Sequence, residues 1–218
     1  MTAHALVVSA DLAADAAAWV ASRARDAVGA HGRFAFAVSG GRTPWAMFAS
    51  LTAMGNMPWD AVDIYEVDER VAPDGDEARN LTLLRAALSG VPATLHPMPV
   101  DDADLAAAAA AYGRALPGRF DLVHLGLGPD GHTASLVPGD PVLDVTDRLV
   151  AITGPYQGHR RMTLTYPALA RAAELLWLVS GADKRDALAK LLAGDRSIPA
   201  ARVEAERSTV LADAYAVQ

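Results

Sequence analysis

Short apolar runs alternate with longer alanine-rich stretches along the whole chain, and no other feature constrains the fold as tightly. Runs of four to six apolar residues suit strands buried on both faces, and the stretches between them are long enough for helices. Strands are expected at residues 5–8, 34–38, 62–67, 121–125, 149–152, 162–165 and 175–179, with a last, edge strand at 209–211. Helices are expected at 12–28, 45–53, 80–88, 101–116 and 184–192. The stretch 101–116 opens with acids and is dominated by alanine, and its segment 106–111 reads as a plain, solvated surface helix. Repeated β-α units build an α/β fold: an open, mostly parallel sheet with helices on both faces. No repeat, low-complexity tail or Ser/Gly-rich linker divides the 218 residues, so one domain covering 1–218 is expected.

Several function classes are disfavoured by composition. Cysteine is absent, which removes disulfides, thiolate metal sites and a cysteine nucleophile, and makes a reducing compartment, the cytoplasm, the expected location. No apolar run approaches the roughly 20 residues that span a bilayer. The N-terminal stretch lacks Lys and Arg and is interrupted by Asp11 and Asp15, unlike a signal peptide. A net charge of −7 without a Lys/Arg stripe argues against nucleic acid as a partner. A small anion needs only a few local donors and stays compatible with that balance. A monomer or weak homodimer without membrane partners is the expectation.

The polar clusters fall where strands end, and in open α/β sheets ligands bind beyond the carboxyl ends of the strands. In the first, Ser39-Gly40-Gly41-Arg42-Thr43-Pro44, the glycines permit close backbone approach, and Thr43-Pro44 opens a helix whose free N–H groups suit a phosphate. A tight strand-to-helix turn without a ligand is the alternative. No Gly-Lys-[Ser/Thr] follows, so nucleotide hydrolysis has no support.

The second cluster, residues 126–135, satisfies G-x-G-x-x-G but sets Pro129 and Asp130 where a pyrophosphate would lie, and no acid is well placed for a ribose. A dinucleotide cofactor is therefore not expected. Asp130-Gly131-His132 instead suggests a general base: a carboxylate on one ring nitrogen fixes the tautomer that leaves the other free to accept a proton. A structural histidine, an N-cap aspartate and an Asp-x-His metal pair are the competing readings. His4, His31, His96, His124 and His159 form no second cluster, so no metal is expected. The third cluster, Asp68-Glu69-Arg70, offers two acids and a guanidinium able to grip a phosphate or carboxylate. Arg161 and Lys184 stand at element boundaries, as anion ligands or as solvated charges. No Gly-x-Ser-x-Gly elbow occurs, which disfavours an acyl-enzyme.

Five segments in order, SGGRTP (39–44), DERVAP (68–73) with Asn80 beyond, GLGPDGHTASLVPG (126–139), RMTLTYPAL (161–169) and SGADK (180–184), give the chain its resemblance to the 6-phosphogluconolactonases over essentially its whole length. The related glucosamine-6-phosphate deaminases share the Gly-Gly loop and an Asp-Gly-His, but carry Asp-Glu-Tyr where this chain has Asp68-Glu69-Arg70, and a Glu at the position of Val137. Valine cannot serve the acid–base chemistry of ring opening and amine loss, whereas lactone hydrolysis requires an activated water and a stabilised oxyanion. Small departures are Val137 for Phe, Ala72 for Val and Arg79 for Ser.

The resemblance implies hydrolysis of 6-phospho-D-glucono-1,5-lactone in the oxidative pentose phosphate pathway. His132 then deprotonates water and Asp130 orients it. Ser39, Gly40, Gly41, Arg42 and Thr43 bind phosphate with Arg70, Arg161 and Lys184, while Asp68 and Glu69 contact sugar hydroxyls or hold Arg70. A deaminase-like enzyme is one alternative. The other, a sugar-phosphate sensor, would normally bring a DNA-binding segment, and none precedes the first strand.

Overall fold

A computed structural model describes residues 2–218. Its elements in chain order are β1 (His4–Ser9), α1 (Leu12–His31), β2 (Phe34–Val38), α2 (Arg42–Ala53), β3 (Val62–Glu66), β4 (Asp68–Arg70), α3 (Asn80–Ala87), β5 (Thr94–His96) and α4 (Leu105–Ala115). There follow β6 (Leu122–Gly126), β7 (Val150–Ile152), β8 (Arg161–Leu164), α5 (Tyr166–Leu169), β9 (Glu174–Val179), α6 (Arg185–Leu192), β10 (Arg207–Asp213) and α7 (Ala214–Val217).

Seven strands form a wholly parallel sheet in the order β1-β10-β9-β6-β2-β3-β5. The period of two explains why these strands read as continuous apolar runs: each supplies a core on either face. In β9, Leu175, Trp177 and Val179 join the core under α4 and α6, while Leu176 and Leu178 join the one under α1 and α2. Phe34, Phe36 and Val38 of β2 extend that second core, where Phe36 meets Phe48 of α2.

Chain order reverses between β2 and β6: from β2 the chain continues to β3 and β5, and from β6 to β9 and β10. The two neighbouring loops diverge there and leave a crevice at the strands' carboxyl ends. A second sheet, the antiparallel β4-β8-β7, closes over it. Backbone bonds of Val67 N to Val38 O (3.0 Å) and Leu164 N to Val67 O (2.8 Å) join the two sheets.

Three expectations need correction. The segment at 209–211 is not an edge: β10 is hydrogen-bonded to β1 on one side and β9 on the other, and the edges are β1 and the unexpected β5. Polar but β-compatible Ser208 and Thr209 lengthen that strand beyond its apolar centre. The helix expected from 101 starts at Leu105, because the Asp104 carboxylate caps the N–H groups of Ala106 and Ala107 at 3.1 and 3.0 Å. Nor is this helix merely solvated, since Ala108, Ala109 and Tyr112 are buried against the core.

Candidate active site

At the β2/β6 switch point lies a polar cavity of about 190 Å³, lined among others by Ser39, Gly40, Asp68, Arg70, Asn80, His132, Arg161 and Lys184. A larger cavity, about 680 Å³, lies elsewhere, between α4 and β7; its walls are mostly alanine, valine and leucine, with Asp140 and three arginines but no imidazole. Size alone would select that one. An imidazole with a carboxylate behind it, set among cations, selects the smaller.

The loop after β6 is wound tightly enough to turn Asp130 and His132 onto each other. Gly131 N donates to Gly128 O (3.0 Å), Gly128 N to His132 O (2.8 Å), and Gly131 itself takes φ 81°, which favours glycine. Oδ1 of Asp130 accepts both the His132 backbone N–H (3.1 Å) and Nδ1 (2.5 Å). A proton on Nδ1 leaves Nε2 to accept another. Burial pushes the Asp130 carboxyl up, but its hydrogen bonds and charge interaction with His132 outweigh that and hold it below its ordinary value. Asp130 is thereby kept an anion.

The same loop is tied to the small sheet. Ser135 Oγ donates to Oδ2 of buried Asp68 at 2.6 Å, and Ser135 N donates to Thr163 Oγ1 at 3.2 Å. That sheet brings two guanidiniums to the cavity, Arg70 from β4 and Arg161 from the paired position of β8. Neither makes a salt bridge among the described residues. Arg70 Nη1 bonds Asn80 Oδ1 (2.6 Å) and Ala78 O (3.0 Å). Arg161 is 5 % exposed with its Nε unpartnered. Burial lowers it from its ordinary value, Asp68 pulls it back up and Arg70 adds repulsion. Two facing cations without a carboxylate bound between them make a ready anion site.

Ser39 borders the cavity from the other side, and its buried Oγ also lacks a partner. Its N–H reaches Nδ1 of His124 at 3.3 Å, an imidazole that burial lowers to about 3 and so keeps neutral. Gly40 approaches Asn80 so closely that a Cβ there would overlap the amide. Lys184 lines the cavity while pairing with Asp183 at 3.1 Å.

Of the expected site residues, Ser39, Gly40, Asp68, Arg70, His132, Arg161 and Lys184 meet at the cavity, with Asp130 behind His132. Gly41, Arg42 and Thr43 do not line it; Gly41 caps α2 and Arg42 and Thr43 form its first turn. Of the two roles expected for Glu69, contacting sugar hydroxyls or holding Arg70, its surroundings match the second. It is fully buried and its carboxylate accepts from Arg70 N, Asn80 N, Leu81 N and Arg79 Nε at 2.7 to 3.1 Å, so it holds the scaffold of Arg70 and contacts no cavity. Burying a carboxylate required such donors, and Arg79 supplies the charge. Asn80, visible in sequence only as the end of a motif, binds Arg70 and lines the cavity. His124 had no cluster to mark it.

A family model described as glucosamine-6-phosphate isomerases/6-phosphogluconolactonase matches residues 8–212. The chain belongs to this family. Among its members, a 6-phosphogluconolactonase of Nostoc sp. is 39% identical over 181 residues, 77% of this chain and 75% of the relative. A solved 6-phosphogluconolactonase from Shewanella baltica matches with a TM-score of 0.85 at 27% identity, covering 98% of both chains. A monomeric glucosamine-6-phosphate deaminase also matches with a TM-score of 0.85, at 18% identity over 99% of this chain and 98% of its own. Both branches of the family thus share the fold, and the fold does not choose between their reactions.

Proposed function

We propose that the chain hydrolyses 6-phospho-D-glucono-1,5-lactone, the lactone of the oxidative pentose phosphate pathway, to the open-chain acid 6-phosphogluconate, using water activated by His132. The observation that carries this reading is one imidazole, fixed through Nδ1 by Asp130, sharing a cavity with the salt-bridge-free Arg70 and Arg161. His132 Nε2 takes a proton from water as the water oxygen bonds to C1. The tetrahedral intermediate then collapses, the C1–O5 bond breaks, and the imidazolium returns the proton to O5. Arg70, Arg161 and Lys184, with the Ser39–Gly40 loop, bind the phosphate, and that remote binding orients the lactone for attack.

Deamination receives less support from the same cavity. Asp68 is its one lining carboxylate, and Ser135 already occupies an oxygen of it; Val137 is buried and apolar where the deaminases carry a Glu.

Acid release from freshly generated lactone, with spontaneous hydrolysis subtracted, tests the reading. His132→Ala is expected to lower kcat about 100-fold or more, the usual size of a general-base contribution. An alanine variant as fast as wild type removes His132 from the mechanism. Ammonia release from glucosamine 6-phosphate would establish the other branch.

A further inference from the structure

The segment between β7 and β8 turns back over the reaction loop. Tyr156 N donates to His159 O (2.9 Å) and His159 N to Tyr156 O (3.3 Å), which closes a two-residue turn on Gln157 and Gly158 at φ 51° and 86°. A non-glycine residue in that region costs about 1 kcal/mol or more, and is kept where the surroundings over-determine it. Here the turn is held from the side: Gln157 Oε1 accepts from Arg161 Nη2 at 3.4 Å.

Tyr156, at the start of the turn, meets three groups of the site at once. Its hydroxyl donates to Oδ2 of Asp130 at 3.4 Å, the oxygen His132 leaves unused. Its ring stands edge-on to His132, with centroids 5.5 Å apart and planes at 65°. Over the same ring lies the Arg161 guanidinium, 5.1 Å from the centroid.

We propose that Tyr156 is a positioning residue that locks the Asp130–His132 pair to Arg161 across the cavity, so that the water-activating group and a phosphate-binding cation keep one fixed separation. The proposal rests on the lactonase reading above. A carboxylate bonded through one oxygen can still swivel about its Cβ–Cγ bond; a donor on the second oxygen stops the swivel and steadies His132. The ring face meanwhile steadies a buried guanidinium that makes no salt bridge among the described residues. The hydroxyl therefore acts on turnover, and the ring on affinity.

Tyr156→Phe and Tyr156→Leu separate the two. For each variant, kcat and KM are measured on freshly generated lactone, the Kd of 6-phosphogluconate is measured by calorimetry, and the thermal midpoint is recorded. Tyr156→Phe is expected to lower kcat about 3- to 10-fold, the weight of one hydrogen bond, with KM and Kd within about 2-fold of wild type. Tyr156→Leu is expected to show the same kcat and, in addition, KM and Kd raised about 3- to 10-fold by loss of the ring. Wild-type kcat in the Phe variant, wild-type Kd in the Leu variant, or equal changes in both with a lowered thermal midpoint would overturn the proposal. Wild-type protein that does not accelerate lactone hydrolysis would instead overturn the lactonase reading, while the calorimetry still reports the hold of Tyr156 on Arg161.

Discussion

Asp130 and Glu69 both come from polar clusters at strand ends, and the molecule uses them in opposite ways. Asp130 keeps 39% of its side chain exposed and binds one imidazole and one phenol. Glu69 is sealed from solvent and saturated by three backbone N–H groups and Arg79. A carboxylate beside an open cavity remains free to act on a neighbour. One whose lone pairs are all committed can only hold structure, and Glu69 holds the strand and helix from which Arg70 and Asn80 reach the cavity.

The two acids should therefore fail differently. Glu69→Ala leaves three backbone N–H groups unpaired and Arg79 with Asp101 as its remaining ion-pair partner, and is expected to cost about 3–5 kcal/mol in urea unfolding; a loss below about 1 kcal/mol would mean that the buried pair is not the brace described. Asp130→Ala is expected to reduce kcat on the lactone about 100-fold while leaving urea stability within about 0.5 kcal/mol, because its surroundings are half open. Comparable stability losses in both variants would erase the contrast.

A smaller effect sharpens it through pH. Burial, then repulsion from Glu69, raises the buried Glu66 carboxyl well above its ordinary value. Being raised in the folded state, its contribution to stability is complete below the ordinary carboxylate range and is lost as pH rises through the raised value. Asp130, being lowered, contributes above that range and loses its contribution as pH falls. Glu66→Gln, which fixes the neutral form, is thus expected to gain on wild type in thermal midpoint as pH climbs from acid to mildly alkaline. A difference independent of pH would show that Glu66 is not held protonated.

Much of this was legible in the sequence where the physics is local. A period of two with both faces apolar marks β2, β6 and β9, and polar residues immediately after such strands fall at a crevice by topology alone. Strand order is a different matter. Three-residue β5 carries too little pattern to be seen, and the central place of β10 depends on β1 pairing beyond it, some 200 residues away in sequence. The choice between the two roles of Glu69 stayed open for a similar reason: whether a charge is buried depends on its partner, and Arg79 lies ten residues on, just before the helix expected at 80–88. Tyr156 had no motif at all, since its relation to Asp130 exists only once the β7–β8 turn folds over the β6 loop.

Ser135, in the loop after β6, and Asp68 of β4 add a 2.6 Å side-chain bond to the backbone bonds that sew the parallel sheet to the antiparallel one. The imidazole hangs from the first sheet, Arg70 and Arg161 from the second, so the part that breaks the bond and part of what grips the substrate are inherited on separate pieces of backbone. A lineage can then alter what it grips by drifting in β4, β8 and the turn carrying Tyr156, while the Asp-Gly-His loop stays as it is. The seam is where such drift would first be felt, because a shift of the small sheet changes the distance between the two halves before it changes either half.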